Sequence, residues 1–202
     1  MSLAYQIPDG MTEVSYEIKK SRFIARLYLA TDRDQAMQAL ELAKQDYPDA
    51  RHHCWAYQIG SPTSPHLAAM SDDGEPSGTA GKPILNVIQH KEVGDLMLIV
   101  IRYFGGIKLG AGGLVRAYSQ AAQMAFDAMS IKMHVELDEF SLSCGFQDEQ
   151  SIRHWLKQYE SDIHQVEYQD KVIIHIAMDG LYLDELEAFL ATLKQACLIQ
   201  KI

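Results

Sequence analysis

The last third of the chain contains a complete alternation of strand and helix patterns, which constrains the fold more than any other feature of the sequence. Strands are predicted where apolar and polar residues alternate, and helices where apolar residues recur every three or four positions. The predicted elements are a strand over 138–144, a helix over 147–159, strands over 162–168 and 171–178, a helix carrying Leu186, Phe189, Leu190 and Leu193, and a strand over 197–202. This βαββαβ order predicts a ferredoxin-like domain.

A separate pattern of elements precedes this one, so the sequence predicts two domains, over residues 1–133 and 137–202, with a boundary near 130–136. Both domains combine helices with strands, and we therefore predict an α+β protein. The elements predicted in the first domain are a hairpin over 13–29, a helix over 32–46 with a capping box at Thr31–Asp34, a strand over 54–59, a central strand over 96–104, and a helix from Leu114 to Met129.

Residues 60–83 are rich in Ser, Pro, Gly and Asp and predict one long loop, a kind of segment that is usually functional or disordered. Its carboxylates, Asp72, Asp73 and Glu75, are of the type that holds Mg²⁺ or acts as a general base. Asp next to Gly is equally typical of turns, where its side chain bonds the backbone. No nucleophile with an evident partner accompanies them, so no catalytic residue is assigned.

The distribution of charge directs the search for a site to the first domain. The chain has a net charge of −9, but 13 of its acidic and only 5 of its basic residues lie from residue 136 onwards, which leaves 14 acidic and 13 basic residues before it. No apolar run reaches the roughly 18 to 20 residues that a membrane helix needs. Three widely spaced cysteines predict neither disulfides nor a zinc site, and indicate a reducing, cytoplasmic location.

The segment Gly105–Arg116 places five glycines where the central strand gives way to the following helix. Backbone amides can converge there without obstruction, and the helix dipole adds positive potential, which together favour an anion. The candidate anion or nucleic-acid ligands are Arg102, Lys108, Gly110, Ala111, Gly112, Gly113 and Arg116, with Lys20 and Arg22 of the first hairpin. The alternative is a close-packed turn with two solvated cations. The spacing fits neither the dinucleotide fingerprint nor the P-loop.

His52 and Cys54 are two metal-ligand types at strand spacing, so both can face one centre. A third ligand such as His66 or Asp73 would have to come from elsewhere. An ordinary strand is the preferred interpretation, and no metal or cofactor is predicted.

Five segments form a recognisable set: Ser71–Gly81, Arg102–Gly106, Leu109–Tyr118, Lys20–Phe23 and His53–Tyr57. The first three resemble the two main signatures of the IMPACT family, and the last two resemble further blocks of that family. The second domain resembles the one appended in bacterial YigZ-type members. The resemblance implies a first domain with the ribosomal-protein-like fold of elongation factor G domain IV, and a second similar to domain V of that factor.

Domains IV and V of elongation factor G both work on the ribosome. The resemblance therefore predicts a translation-linked regulatory or binding protein rather than an enzyme. It would contact RNA, the ribosome or a translation-associated protein through the glycine-rich surface, with the acidic loop at 72–75 beside it. Two alternatives stay open. One is a nucleotide- or phosphate-binding enzyme of GHMP-kinase-like fold, and the other is an adaptor that binds proteins through its acidic second domain.

Overall fold

The computed structural model describes residues 4–134, 137–159, 161–193 and 197–201, and its contacts divide the chain into two compact units. The first unit is Tyr5–His134, and the second comprises Ala4 and the described residues from 137 onwards. Residues 135 and 136 of the predicted boundary, and residues 1–3 and 202 at the predicted domain ends, lie outside the described residues. Each unit contains helices and strands, so the predicted α+β class is confirmed.

The first unit is built on a five-stranded antiparallel sheet of β2 (Thr12–Ile18), β3 (Ser21–Leu29), β4 (His52–Ile59), β5 (Leu67–Ser71) and β6 (Leu96–Tyr103). The order of these strands across the sheet is β2-β3-β6-β4-β5. Strand β6 lies at the centre, which explains its continuous apolar run, since both of its faces are buried. A separate two-stranded sheet pairs β1 (Tyr5–Pro8) with β7 (Ile131–His134).

Helices cover both faces of the large sheet. Helix α1 (Arg33–Asp46) packs Ala36, Ala39 and Ala43 against one face, and the other face carries α2 (Gly81–Gln89) and α3 (Ala111–Ala128). The α1 N-cap is Asp32, which accepts from the Gln35 backbone N–H at 2.8 Å, while the Gln35 side chain accepts from the Thr31 backbone N–H. The capping box therefore pairs Asp32 with Gln35 and not Thr31 with Asp34.

The prediction of one long loop over 60–83 is wrong. Strand β5 forms a hairpin with β4, and helix α2 begins at Gly81. The sequence pattern did not predict strand β5 because β5 is a short edge strand whose residues are mostly exposed, so its apolar and polar residues do not alternate. The sequence pattern did not predict helix α2 because the side chain that caps it, Asp72, lies nine residues before Gly81 and not next to the helix.

The second unit has the predicted βαββαβ order. The elements are β8 (Asp138–Cys144), α4 (Glu149–Gln158), β9 (Asp162–Tyr168), β10 (Val172–Met178), α5 (Leu183–Leu190) and β11 (Leu198–Lys201). The strands form an antiparallel sheet in the order β11-β8-β10-β9, and helices α4 and α5 contribute to the apolar core of the unit.

One glycine fixes where the first hairpin meets the central strand. Lys19 and Lys20 form the two-residue turn between β2 and β3, both with positive φ, as such turns require. Gly105 lies directly against that turn, and its backbone N–H donates to the Ser21 hydroxyl at 3.1 Å. A Cβ at Gly105 would overlap the backbone of Lys20 and Ser21, so no larger residue fits without moving the turn.

Candidate functional site

A pocket of about 400 Å³ lies where β6 ends and α3 begins. Its lining residues are Arg51, His52, Glu75, Pro76, Arg102, Phe104, Lys108, Leu109, Gly110, Ala111 and Leu114. A larger concavity of about 620 Å³ on the outer side of α1 is lined by two carboxylates, Asp34 and Glu41, and by no Lys or Arg among the described residues. Basic side chains are thus concentrated at the pocket beside the glycine segment.

Backbone donors form one side of this pocket. Gly110, the N-cap of α3, has a φ of 72° and carries no side chain that could bond the first turn. The first backbone N–H bonded within the helix belongs to Leu114, which donates to the Gly110 carbonyl at 2.9 Å. The N–H groups of Ala111, Gly112 and Gly113 precede that bond, and the positive end of the helix dipole lies with them. This side of the pocket favours an anion.

Exposed basic groups extend the same surface. Lys108 and Arg51 are both exposed and line the pocket. His52 lies beside them, and its Nδ1 is 2.8 Å from the Asp73 carbonyl oxygen. Because a carbonyl can only accept, Nδ1 carries the proton, and Nε2 of the neutral ring is left as an acceptor. The pocket lining contains three cationic side chains, Arg51, Arg102 and Lys108, and one carboxylate, Glu75, so it has an excess of positive charge.

A buried ion pair contributes to the wall of the pocket. Arg102 continues the row of β6 side chains that face α3, and its Nη1 donates to Glu75 Oε1 at 2.5 Å. The Arg102 and Glu75 side chains are 7% and 4% exposed. The Tyr118 hydroxyl of α3 donates to the same carboxylate oxygen at 2.9 Å. Among the described residues, Arg102 Nε has no hydrogen-bond partner. Arg102 is therefore a paired, buried cation and not the free phosphate ligand that the sequence suggested.

Cys54 extends this network into the core. Its Sγ lies 2.9 Å from the Asp72 carbonyl oxygen and 3.3 Å from the Tyr118 hydroxyl oxygen, and its single proton can serve one of them at a time. Burial raises the pKa of the Cys54 thiol, and burial together with the neighbouring Cys54 and Glu75 raises the pKa of Tyr118. Both groups therefore keep their protons at neutral pH, which makes them donors in the network and not nucleophiles.

The three carboxylates of the predicted acidic loop have three different roles. Asp72 accepts from the backbone N–H groups of Gly78, Ala80 and Gly81 at 2.8 to 3.0 Å and so caps α2. Burial raises its pKa, but these three donors outweigh burial and hold the pKa below the ordinary value. Asp73 accepts from the His53 backbone N–H at 2.6 Å. Of the three, Glu75 lines the pocket.

The remaining sequence candidates lie around the pocket. Lys20 and Arg22 belong to the hairpin that contacts Gly105, and the Arg22 guanidinium lies 4.7 Å from the Tyr103 ring centroid. Arg116 is exposed, and its Nη1 lies 3.7 Å from the position that a Cβ on Gly112 would occupy. These three side chains are absent from the pocket lining. Gly112 and Gly113 continue the first turn of α3, next to Gly110 and Ala111, which do line it.

Sequence reasoning missed Arg51, His52 and Phe104 as members of the lining. Phe104 is 53% exposed, and the Arg102 guanidinium lies 5.5 Å from its ring centroid. An aromatic residue between a strand and two glycines was the available signal for Phe104. His52 reaches the pocket because it is the register partner of Arg102 across β4 and β6, and the residue pattern alone does not reveal that register.

Within the described part of the chain, no three His, Cys, Asp or Glu side chains are arranged to hold a metal ion. His52 and Cys54 instead bond backbone carbonyls of the acidic loop, from Asp73 and Asp72 respectively. No helix in the described ranges is long and apolar enough to cross a membrane.

Comparisons with known proteins agree with the resemblance. The Impact N-terminal domain family matches residues 19–126, and the domain of unknown function DUF1949 matches residues 142–196. An IMPACT family member of Haemophilus influenzae is 38% identical, covering 95% of this chain and 91% of that protein. The IMPACT family member YigZ of Escherichia coli is 36% identical, covering 96% of each chain. A crystal structure described as that of a hypothetical protein superposes with a TM-score of 0.79 at 35% identity, covering 100% of this chain and 98% of the other. The chain belongs to the IMPACT family.

Proposed function

We propose that this protein is a translation-linked binding protein of the cytoplasm, whose first unit binds phosphate groups of RNA at the pocket between β6 and α3. The observation that carries the proposal is the composition of that pocket. Backbone donors at the start of a helix, the exposed cations Lys108 and Arg51, and the exposed ring of Phe104 share one concave surface. Phosphate oxygens suit the amides and the cations, and bases stack on exposed aromatic rings.

The charge of the whole chain does not oppose this binding. The net charge is −9, but the excess of acidic residues lies mainly in the second domain. Interactions between exposed charges are largely screened beyond about 8 Å at physiological salt. Lys108 and the amides of α3 are within that distance of a phosphate bound in the pocket, so they attract it locally, and binding should depend strongly on salt.

The engaged carboxylates favour binding over catalysis. A general base needs a carboxylate or imidazole that can accept a proton from substrate. Asp72 is bonded to three backbone amides, Asp73 to the His53 backbone, and Glu75 to Arg102 and Tyr118. The acidic loop therefore acts as a support for the pocket, which is why we favour the binding protein over the kinase-like alternative.

Fluorescence anisotropy of the full chain with short single-stranded RNAs at two salt concentrations tests the proposal. Replacing Lys108 and Arg51 by alanine should weaken binding and reduce the slope of log affinity against log salt by about 0.7 for each lost phosphate contact.

The matched control is the double variant Arg33→Ala/Lys44→Ala. It removes the same charge from exposed positions on α1, which packs on the other face of the sheet. This variant should bind RNA nearly as the wild type does. Equal losses in the two variants, or no binding at low salt, would refute a phosphate site at the pocket.

A further inference from the structure

The pocket beside α3 adjoins a second concavity of about 340 Å³, and the two share part of their walls. Asp49, Arg51, Arg102, Tyr103 and Phe104 line the second concavity, and three of these residues, Arg51, Arg102 and Phe104, also line the first. The first holds Lys108 and the start of α3, whereas the second holds Asp49 and Tyr103. A ligand that fills both therefore meets a cationic end, with Lys108 and the start of α3, and a second end with Asp49 and Tyr103, while the shared residues lie along both.

The cationic end is built for more charge than an internal phosphodiester carries. An internal phosphodiester has one negative charge, whereas a phosphomonoester has about −1.5 to −2 at neutral pH and three terminal oxygens. The pocket offers Arg51, Arg102 and Lys108 against the carboxylate of Glu75, together with the amides of α3. Because Arg102 is paired with Glu75, the excess positive charge comes from Arg51 and Lys108, and the 7% exposed Arg102 side chain adds a buried Nε donor that has no partner among the described residues.

The size of the pocket favours a single strand over a duplex. Clefts that bind small ligands have volumes of about 300 to 1,000 Å³. The value of about 400 Å³ lies at the lower end of that range, which suits one nucleotide and not a duplex.

The neighbouring concavity suits a base. Arg102 lies 5.5 Å from the Phe104 ring centroid, and with 53% of Phe104 exposed, ring surface is left for stacking. Arg22 lies over the Tyr103 ring, which holds that wall in place. Asp49 is exposed and can accept from an exocyclic amino group, whereas Lys108 and the start of α3, which favour a phosphate, line the first concavity and not the second. The two ends therefore select the orientation of a bound nucleotide.

We infer that the site recognises a terminal phosphomonoester, with the phosphate at Lys108 and α3 and the attached base on Phe104. This inference rests on the proposed RNA-binding function and narrows it to the phosphorylated end of a single strand. A free mononucleotide offers the same chemistry, so both sources belong in the test.

The experiment is an anisotropy competition with the full-length chain. A 3′-fluorescein RNA with a 5′-phosphate is displaced by unlabelled RNAs of the same sequence that carry a 5′-phosphate, a 3′-phosphate or hydroxyls at both ends, and by AMP and inorganic phosphate. The 5′-phosphorylated RNA should compete about 10-fold better than the RNA with two hydroxyl ends, which corresponds to one additional hydrogen bond to a charged group. If the 3′-phosphorylated RNA or AMP competes equally well, the site also accepts a phosphomonoester from that ligand. This result would still support recognition of a terminal phosphomonoester.

Variants of exposed residues separate the inference from a general effect of charge. Lys108→Ala and Phe104→Ala should abolish the preference for the phosphorylated end. Phe146→Ala, which removes a ring that is 58% exposed in the second unit, and Arg33→Ala should preserve it. If the hydroxyl-ended and phosphorylated RNAs bind equally, the terminal phosphate is refuted while RNA binding stands. If no RNA binds at low salt, both proposals fail.

Discussion

Substituting Glu75 by Gln tests how the first unit supports its pocket. The change keeps the size of the side chain and removes its charge, so Arg102, 7% exposed, keeps its cation without a carboxylate at 2.5 Å. Breaking a buried ion pair by removing one partner costs about 3 to 5 kcal/mol. Because Gln can still accept one hydrogen bond, we expect the lower limit, about 3 kcal/mol. At a urea m-value of about 2 kcal/mol/M, this loss lowers the midpoint by about 1.5 M.

The assay is urea unfolding followed by tryptophan fluorescence. The chain has two tryptophans, Trp55 in the first unit and Trp155 in the second. A Trp155→Phe background therefore makes the signal specific to the unit that contains Glu75. Circular dichroism at zero urea checks that the variant is folded at the start.

Two further variants identify the cause of the loss. Tyr118→Phe removes one hydrogen bond to Glu75 but keeps the ion pair, so it should cost less, about 1.5 kcal/mol. Glu75→Leu combined with Arg102→Met replaces both charges with apolar groups and should be more stable than Glu75→Leu alone, because no buried charge is left unpaired. If the free energy of unfolding of Glu75→Gln lies within about 0.5 kcal/mol of the parent, the range typical of surface substitutions, then the pairing of Glu75 with Arg102 does not stabilise the first unit.

Three other predictions follow from the fold. Asp72→Asn should destabilise the first unit by about 1 kcal/mol at neutral pH, as loss of a helix cap does. Folding lowers the pKa of Asp72, so the stabilisation that Asp72 provides is complete above the ordinary pKa of 3.8 and is lost as the pH falls through the lower folded value. The urea midpoints of the wild type and of Asp72→Asn should therefore converge in acid. A difference between them that stays constant with pH would contradict the capping role. Gly105→Ala should lower the thermal midpoint because its Cβ overlaps the backbone of Lys20; an unchanged midpoint would show that the turn moves freely. Limited proteolysis should cut near 130–137 and release two folded pieces, whereas even cleavage throughout both would argue against independent domains.

Local patterns were sufficient where an element is specified by its own residues. The second unit has clean periodicity, and β8 and β9 have the predicted bounds. Helix α2 was missed because its cap, Asp72, depends on a folded loop and not on the residue next to the helix. The glycine turn was visible as a site candidate because it combines a strand end with a helix start. The partners of Arg102 were not visible, because Glu75 and Tyr118 are distant in sequence and meet through tertiary packing.

The register of the central strand has a consequence for how the chain tolerates changes in length. Arg102 of β6 is the partner of Phe23 in β3 on one side and of His52 in β4 on the other. Deleting or inserting one residue within β6 would exchange its two faces, turning Tyr103 towards α3 and Arg102 away, so the core and the pocket would be lost in one step. The turn over 61–66 joins β4 to β5 and is not itself paired with a strand on each side, as β6 is. Natural variation in length should therefore accumulate in that turn and be excluded from 96–103.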